Sequence, residues 1–289
     1  MGHTVGQVLR EHGLSVFTCL QGRSQRTHRL AQAAGIQPLA DVETLVQRVN
    51  ILLSIVVPAQ ALENARRVAG ALHATGADVL YVDCNAIAPQ TAVGAAGLIS
   101  DAGGRFVDGC IIGPPPHKPG ETRFYISGSH ANQALVLAEY GLDVRSLGEE
   151  VGRASALKMC YATSTKGFTA LLAELMVAAE ALGITDPLLD EFAISQPGLA
   201  QRIDGSLTRV PAKARRFVGE MQEISATFRA LGLTPHILQG AAEMYERIGA
   251  TPLADRNPED PEMPTLQQVL AILVSNLTLE RPSATDDDR

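Results

Sequence analysis

An α/β sheet domain followed by an all-α domain is the fold class this sequence predicts, and two observations carry it. Between residues 14 and 147, short apolar runs alternate with amphipathic helical segments, the signature of a parallel sheet with right-handed crossovers. From Gly148 onward strand signals stop, and helical stretches follow one another through Gly/Pro joints such as LGITDP and LGLTP. Length permits both, since 289 residues can build two hydrophobic cores. The expected division is 1–147 for the sheet domain, 148–280 for the helical domain and 281–289 for a disordered tail.

The elements follow in order. Gly2 to His12 carries Val5, Val8 and Leu9 at helical spacing and stops at Gly13, a C-cap glycine. Leu14–Cys19 reads as a strand, Arg26–Ala34 as a helix, and Ile51–Val57 as a fully buried strand ended by Pro58. Helix Ala59–Ala71, strand Val79–Asp83 and helix Gln90–Ser100 continue the alternation. Strands Phe106–Ile112 and Arg123–Ser127 flank the breaker-rich GPPPHKPGE, and Leu142–Leu147 closes the domain. Ser155–Leu182 reads as one long apolar helix. Near its start stands Lys158, and Tyr161, Ala162, Thr165 and Thr169 share its face by spacing. Helices Pro187–Phe192, Ala200–Leu207, Ala212–Leu231, Ile237–Gly249 and Thr265–Leu277 complete the chain.

Composition narrows the function. With 46% hydrophobic and 19% charged residues the chain reads as an ordinary folded protein, and its net charge of −7 speaks against nucleic acid as the main partner. No apolar run of about 18 uncharged residues occurs, so no membrane span is expected. No secretory signal pattern opens the chain, and a cytoplasmic location is expected. Cys19, Cys84, Cys110 and Cys160 have no metal or disulfide spacing and read as buried free thiols. The seven histidines form no metal pattern.

A Rossmann-type doubly wound sheet normally opens on a strand running into a glycine-rich turn, where a helix N-terminus takes a diphosphate. Here Gly2 and Gly6 match only the end of that pattern. The first strand is apparently missing, and the sheet is expected to show two unpaired inner edges. The sequence therefore reads as a late start, with about 10 further residues upstream. After the Leu14–Cys19 strand, Arg23 and Ser24 can hold a ribose 2'-phosphate, and no Asp or Glu occurs between Glu11 and Asp41 to favour a free 2'-hydroxyl. This leans to NADP, with NAD possible. Val57 and Pro58 close one strand facing the expected cofactor crevice. Asn85 closes another, placed for cofactor or substrate, or simply as a turn residue.

Taken together, VVP, VDCNAIAP, FVDGCIIGPPP and GRASALKMCYA resemble the beta-hydroxyacid dehydrogenase family, which includes 3-hydroxyisobutyrate and 6-phosphogluconate dehydrogenases. DGCIIGPPP, GRASALKM and Arg209–Leu233 resemble more narrowly a bacterial 6-phosphogluconate dehydrogenase-like branch with its own C-terminal domain. The resemblance implies a Rossmann domain joined by a long helix to a helical domain that often dimerises, so a homodimer is expected. It implies hydride transfer between a nicotinamide and a small hydroxyacid or semialdehyde. Lys158, ending a G-x-x-x-x-x-K pattern from Gly152, is the implied general acid/base. Without the resemblance, a structural role for Lys158 would be the reading, capping a helix start or pairing with Glu149 or Glu150. Departures accompany the matches. Ile112-Gly113-Pro114 replaces the family's substrate-binding Ser-Gly-Gly, and Tyr161 stands for an asparagine three residues after the lysine. Asn85, Ile112, Gly113, Tyr161 and Thr165 are thus the expected substrate contacts, and Gly2, Arg23, Ser24, Val57, Pro58 and Asn85 the expected cofactor contacts. An imine-reductase-like enzyme and a non-catalytic dimeric homologue are the alternatives. Arg215, Arg216, Glu220 and Glu223 read as exposed ion pairs on one helix, although the resemblance implies an acidic side chain of this domain near the site, and His236 reads as a loop residue.

Overall fold

The computed structural model describes residues 1–257 and 262–277, so the expected tail 281–289 lies outside the described residues. The chain forms two compact units. One comprises Met1–Thr163 with Gln222–Pro235, the other Ser164–Met221 with the described residues from His236 onward.

In the first unit, α1 (Gly2–Glu11) leads into β1 (Phe17–Cys19), α2 (Gln25–Ala33), β2 (Gln37–Leu39) and α3 (Val42–Arg48). Ser24 caps α2 by accepting from Thr27 N, and Asp41 caps α3 by accepting from Thr44 N at 2.7 Å. Then come β3 (Ile51–Ser54), α4 (Ala61–Thr75), β4 (Leu80–Asp83), α5 (Pro89–Asp101), β5 (Arg105–Ile112) and β6 (Arg123–Ser127). The short α6 (Ala131–Ala134), β7 (Asp143–Ser146) and α7 (Arg153–Ala162) complete this part.

Five strands pair in the order β3-β4-β5-β6-β7, and β1 pairs with β2 as a separate two-stranded sheet. Among the described residues the ladder is interrupted between β1 and β3, leaving the two inner edges the sequence led us to expect. One face of the larger sheet packs Leu80, Val82, Val107 and Ile126 against Val5 and Leu9 of α1. The other packs Tyr81 and Phe106 against Val68, Leu72 and Ile99 of α4 and α5. Burial on both faces is why β4 opens on the unalternating run Leu80-Tyr81-Val82 and β5 is buried from Phe106 to Ile112. A Cβ on Gly6 would come 2.6 Å from Ile36 Cδ1, so the missing side chain lets α1 seat against the residue that precedes β2.

Two expectations about the sheet and the long helix need correction. The sheet is mixed, because β5 and β6 run antiparallel. Residues 113–122 are too few for a crossover helix but enough for a hairpin return. Nor is Ser155–Leu182 one regular helix: α7 is followed by a π turn at Thr163–Gly167 and then by α8 (Phe168–Ala181). The wider turn shifts the helical phase, which breaks the expected stripe. Tyr161 is 42% exposed whereas Thr169 is buried. β2 and α3 escaped the sequence reading because three and seven residues are too short to display a period.

In the second unit α8 is followed by α9 (Thr185–Ser195), α10 (Pro197–Leu207), α11 (Ala214–Ala230), α12 (His236–Gly249) and α13 (Leu266–Ser275), with α11 contributing residues up to Met221. Thr265 and Gln268 form a capping box on α13. His236 therefore begins a helix rather than lying in a loop. Met176, Ile203, Met221 and Tyr245 are fully buried there. Cys84 and Cys110 are buried thiols, but Cys19 is half-buried and Cys160 exposed, contrary to expectation. No helix among the described residues is long and apolar enough to cross a membrane.

Candidate functional site

The start of α7 is tied to the sheet by one buried carboxylate. Asp108, in the middle of β5, is fully buried, and its Oδ2 accepts from the backbone N–H groups of Gly152 (2.9 Å) and Ser155 (3.0 Å) and from Ser127 Oγ (3.0 Å). Its Oδ1 accepts from Ser155 Oγ at 2.6 Å, and Ser127 Oγ in turn accepts from Ala154 N at 3.1 Å. The N–H groups that a helix start leaves orphaned are thereby satisfied, and a negative group faces the positive end of the helix. Gly152 makes the entry possible at φ 101°, with Pro89 only 3.2 Å from where a Cβ would stand. Burial pushes the Asp108 carboxyl up, while the bonds from Ser155, Ser127 and Gly152 pull it back.

From this fixed start Lys158 reaches the end of β5, where its Nζ donates to the Ile111 carbonyl at 2.7 Å. Glu150 pairs with Arg153 instead, so a salt bridge does not account for the lysine. Burial pushes the neighbouring Cys110 thiol up to about 12 against the pull of the Lys158 ammonium, and the thiol stays protonated.

A second buried network closes β3 and β4. Asn85 is 2% exposed; its Oδ1 accepts from Val56 N at 2.6 Å and its Nδ2 donates to Ser54 Oγ at 3.0 Å. Asn64 Nδ2 donates to the same hydroxyl and to Tyr81 OH. Asn85 N donates to Asp83 Oδ1 at 2.9 Å, while Asp83 Oδ2 is buried without a partner. Burial, then the charge of Asp108 beside it in the ladder, drives Asp83 up to about 7. On the far side of this loop Glu223 accepts from Ala88 N at 2.6 Å and Thr91 Oγ1 at 3.0 Å, closing the start of α5.

The sequence-derived residues thus fall into groups. Lys158 and Ile112 lie at the end of β5, with Ile112 buried and Gly113 exposed beside it. Asn85 has both side-chain groups engaged inside the fold, which makes it a scaffold for the Val56 turn. Val57 is 43% exposed at the end of β3 and Pro58 is buried. A Cβ on Gly2 would sit 3.8 Å from Ile55, so α1 starts beside that strand end. Arg23 Nη1 donates to Gln60 Oε1, and Ser24 caps α2. Tyr161 is exposed one turn beyond Lys158, and Thr165 belongs to the second unit.

Sequence reasoning missed Asp108, Ser127, Ser155 and Arg67, and gave Glu223 a solvated role. Arg67 Nη2 donates to Gln21 Oε1 at 3.0 Å, joining Arg23 near the end of β1. The solvated ion-pair face expected for Glu220 and Glu223 is not observed. Glu220 is 4% exposed and bonded by Lys166, and Glu223 holds the Ala88 loop. Only Arg216, 3.9 Å from Glu220, keeps part of the expected pairing.

Comparison with known proteins places these residues among relatives. Residues 1–136 match the NAD binding domain of 6-phosphogluconate dehydrogenase, and residues 179–248 match a domain of unknown function. A conserved protein of unknown function, whose structure is similar to 3-hydroxyacid dehydrogenases, is 30% identical, covering 85% of this chain and 92% of its own at a TM-score of 0.62. A conserved hypothetical protein from Sinorhizobium meliloti is 26% identical over 96% of this chain and 93% of its own, with a TM-score of 0.66. Mycobacterium tuberculosis 3-hydroxyisobutyrate dehydrogenase shares the fold at 19% identity, covering 94% of this chain and 95% of its own, with a TM-score of 0.65.

Proposed function

The chain belongs to the beta-hydroxyacid dehydrogenase family, and on that premise we propose that it moves a hydride between a nicotinamide dinucleotide and a small hydroxyacid or its semialdehyde. NADP is the preferred cofactor and Lys158 the general acid/base. The observation that carries this reading is the anchoring of Lys158 at the end of β5, with α7 locked by Asp108 and the ammonium held by Ile111. One bond to a carbonyl uses one of three ammonium donors, which leaves two for a substrate oxygen.

A bound nicotinamide supplies or accepts the hydride. In reduction, Lys158 Nζ donates a proton to the substrate oxygen as negative charge develops on it. In oxidation, the neutral amine takes the hydroxyl proton. Several residues suit the dinucleotide. The first turn of α1 has neither an acidic residue nor a side-chain cap, and the Thr4 hydroxyl is buried there without a partner. A helix start of this kind would receive the diphosphate. Arg23, Ser24 and Arg67 at the end of β1 would hold a 2'-phosphate, and Val57 would offer an apolar surface to a ring. A second reading, imine reduction, draws support from the loss of a hydroxyl donor at Ile112 and is tested by adding cyclic imines to the substrate panel.

Titration with NADPH and NADH, followed by cofactor fluorescence, tests the cofactor assignment. NADPH is expected to bind at least about ten-fold tighter, with Arg23→Ala removing most of that difference. Equal affinities in the wild type would contradict the preference, and turnover of 3-hydroxyacids or their semialdehydes tests the reaction class.

A further inference from the structure

The hydride chemistry does not use Asp83, yet this fully buried carboxyl is set directly against another. β4 and β5 pair in parallel, with Tyr81 opposite Phe106 and Asp83 opposite Asp108. Opposed residues in a ladder share a face, and side chains two apart on a strand return to it. The Tyr81 and Phe106 rings stack on that face, 5.9 Å between centroids, and the two carboxyl groups form the next rung of the ladder. Neighbouring strands lie about 4.8 Å apart, so each carboxyl feels the charge of the other.

The surroundings treat the two groups unequally. Two backbone N–H groups and two hydroxyls donate to Asp108 and favour its charged form. Asp83 receives one N–H, from Asn85 at Oδ1, and its Oδ2 is buried without a partner. An orphaned oxygen costs far more on an ion than on a neutral acid. Nothing around Asp83 relieves that cost. On its own strand, burial pushes the Tyr81 phenol and the Cys84 thiol up, so both stay neutral. β3 and α4 bring the Ser54 hydroxyl and the Asn64 amide, α5 has no charged residue before Asp101, and α7 brings the Ser155 hydroxyl to Asp108. From β5 come the protonated Cys110 and the charged Asp108. The charge that acts on Asp83 is that of Asp108, and no cation among the described residues counters it.

We propose that Asp83 is a second positioning residue for Lys158: by keeping one proton on the buried pair, it leaves Asp108 as the single charge that locks the start of α7. Ionisation of both groups sets like charges opposite each other, and opening of the Gly152–Ser155 segment, which admits water to them, relieves the repulsion. Lys158 stands one turn beyond Ser155 and follows that segment. What Lys158 does in catalysis rests on the hydride-transfer reading, whereas its fixing by the carboxyl pair does not. In the closed fold Asp83 ionises at about 7, and near about pH 4 once water reaches it. The closed start therefore holds more protons between those values. Its stabilisation is complete below the lower value and lost as pH rises through the upper one, so the opening equilibrium climbs by up to about ten-fold per pH unit in that window and then levels.

Amide hydrogen exchange of the full chain without nucleotide, read at Gly152 and Ser155 and corrected for the intrinsic pH dependence of exchange, is the test. Both amides are expected to exchange faster than the slowest core amides, the mark of a local opening. From about pH 5 to about pH 7, opening in the wild type relative to Asp83→Asn, which stays neutral, should rise at least about ten-fold and then level above about pH 8. Thermal melts check folding, and Asp83→Ser is a second neutral substitution should Asp83→Asn not fold. The proposal is overturned if the ratio of wild type to the neutral variant stays constant with pH, or if Gly152 and Ser155 exchange only as slowly as the core. Retained turnover in a Lys158 variant would overturn the reaction reading and leave this result untouched.

Discussion

Helices α1 and α7 both begin beside the sheet of the first unit, and their starts are closed in opposite ways. The α7 start is filled from within. Asp108 brings a carboxylate to it, Ser127 and Ser155 complete the bonds, and Gly152 supplies the backbone turn. At α1 there is no side-chain cap, no acid in the first turn, and a buried Thr4 hydroxyl without a partner. A helix start that the protein closes itself fixes a neighbour, here Lys158. One that carries no protein anion is suited to an external one. The same dipole thus serves positioning at α7 and, on the proposed function, would serve ligand binding at α1.

The largest test of this contrast is a pair of substitutions. Asp108→Ala strands the donors of Gly152, Ser155 and Ser127 in the interior and is expected to cost about 3 to 5 kcal/mol in denaturant unfolding. Thr4→Val removes a hydroxyl that bonds to nothing, and its stability should stay within about 0.5 kcal/mol of wild type or rise. Comparable losses at both positions would erase the distinction.

A smaller effect concerns pH. The Asp83 carboxyl is protonated in the folded chain up to about pH 7, whereas an unfolded Asp ionises near about pH 4. The folded state therefore binds more protons between those values. Its stability contribution is complete below the lower value and is lost as pH rises through the upper one. Relative to Asp83→Asn, wild-type stability should fall by roughly 1 kcal/mol per pH unit across that window. A constant difference between the two proteins from pH 4 to pH 7 would show that Asp83 is not held neutral.

The fold order was legible because it rests on local signals, apolar runs and breakers, and Lys158 was singled out by a glycine six residues before it. The partners that hold the lysine were not. Asp108 sits in FVDGCII with nothing nearby to pair with, and its donors come from residues up to 47 positions away. Glu220 and Glu223 were read as surface charges because their spacing to Arg216 fits an exposed helix face, and only tertiary contact shows them buried or engaged. Asn85 illustrates the reverse. Its place at a strand end suggested ligand contact, yet its amide is spent on Val56 and Ser54. The π turn left no trace in the sequence pattern, and it breaks the stripe that spacing alone had drawn.

The most direct measurement is steady-state turnover of Lys158→Ala with the best substrate of the hydroxyacid panel, alongside NADPH affinity by fluorescence. The expected result is a loss of about 10²- to 10⁴-fold in kcat, with cofactor affinity within a few-fold of wild type and the ionisation belonging to the lysine gone from the pH profile. Turnover within about ten-fold of wild type, with the pH profile unchanged, would contradict the assignment of Lys158 as the group that moves the proton.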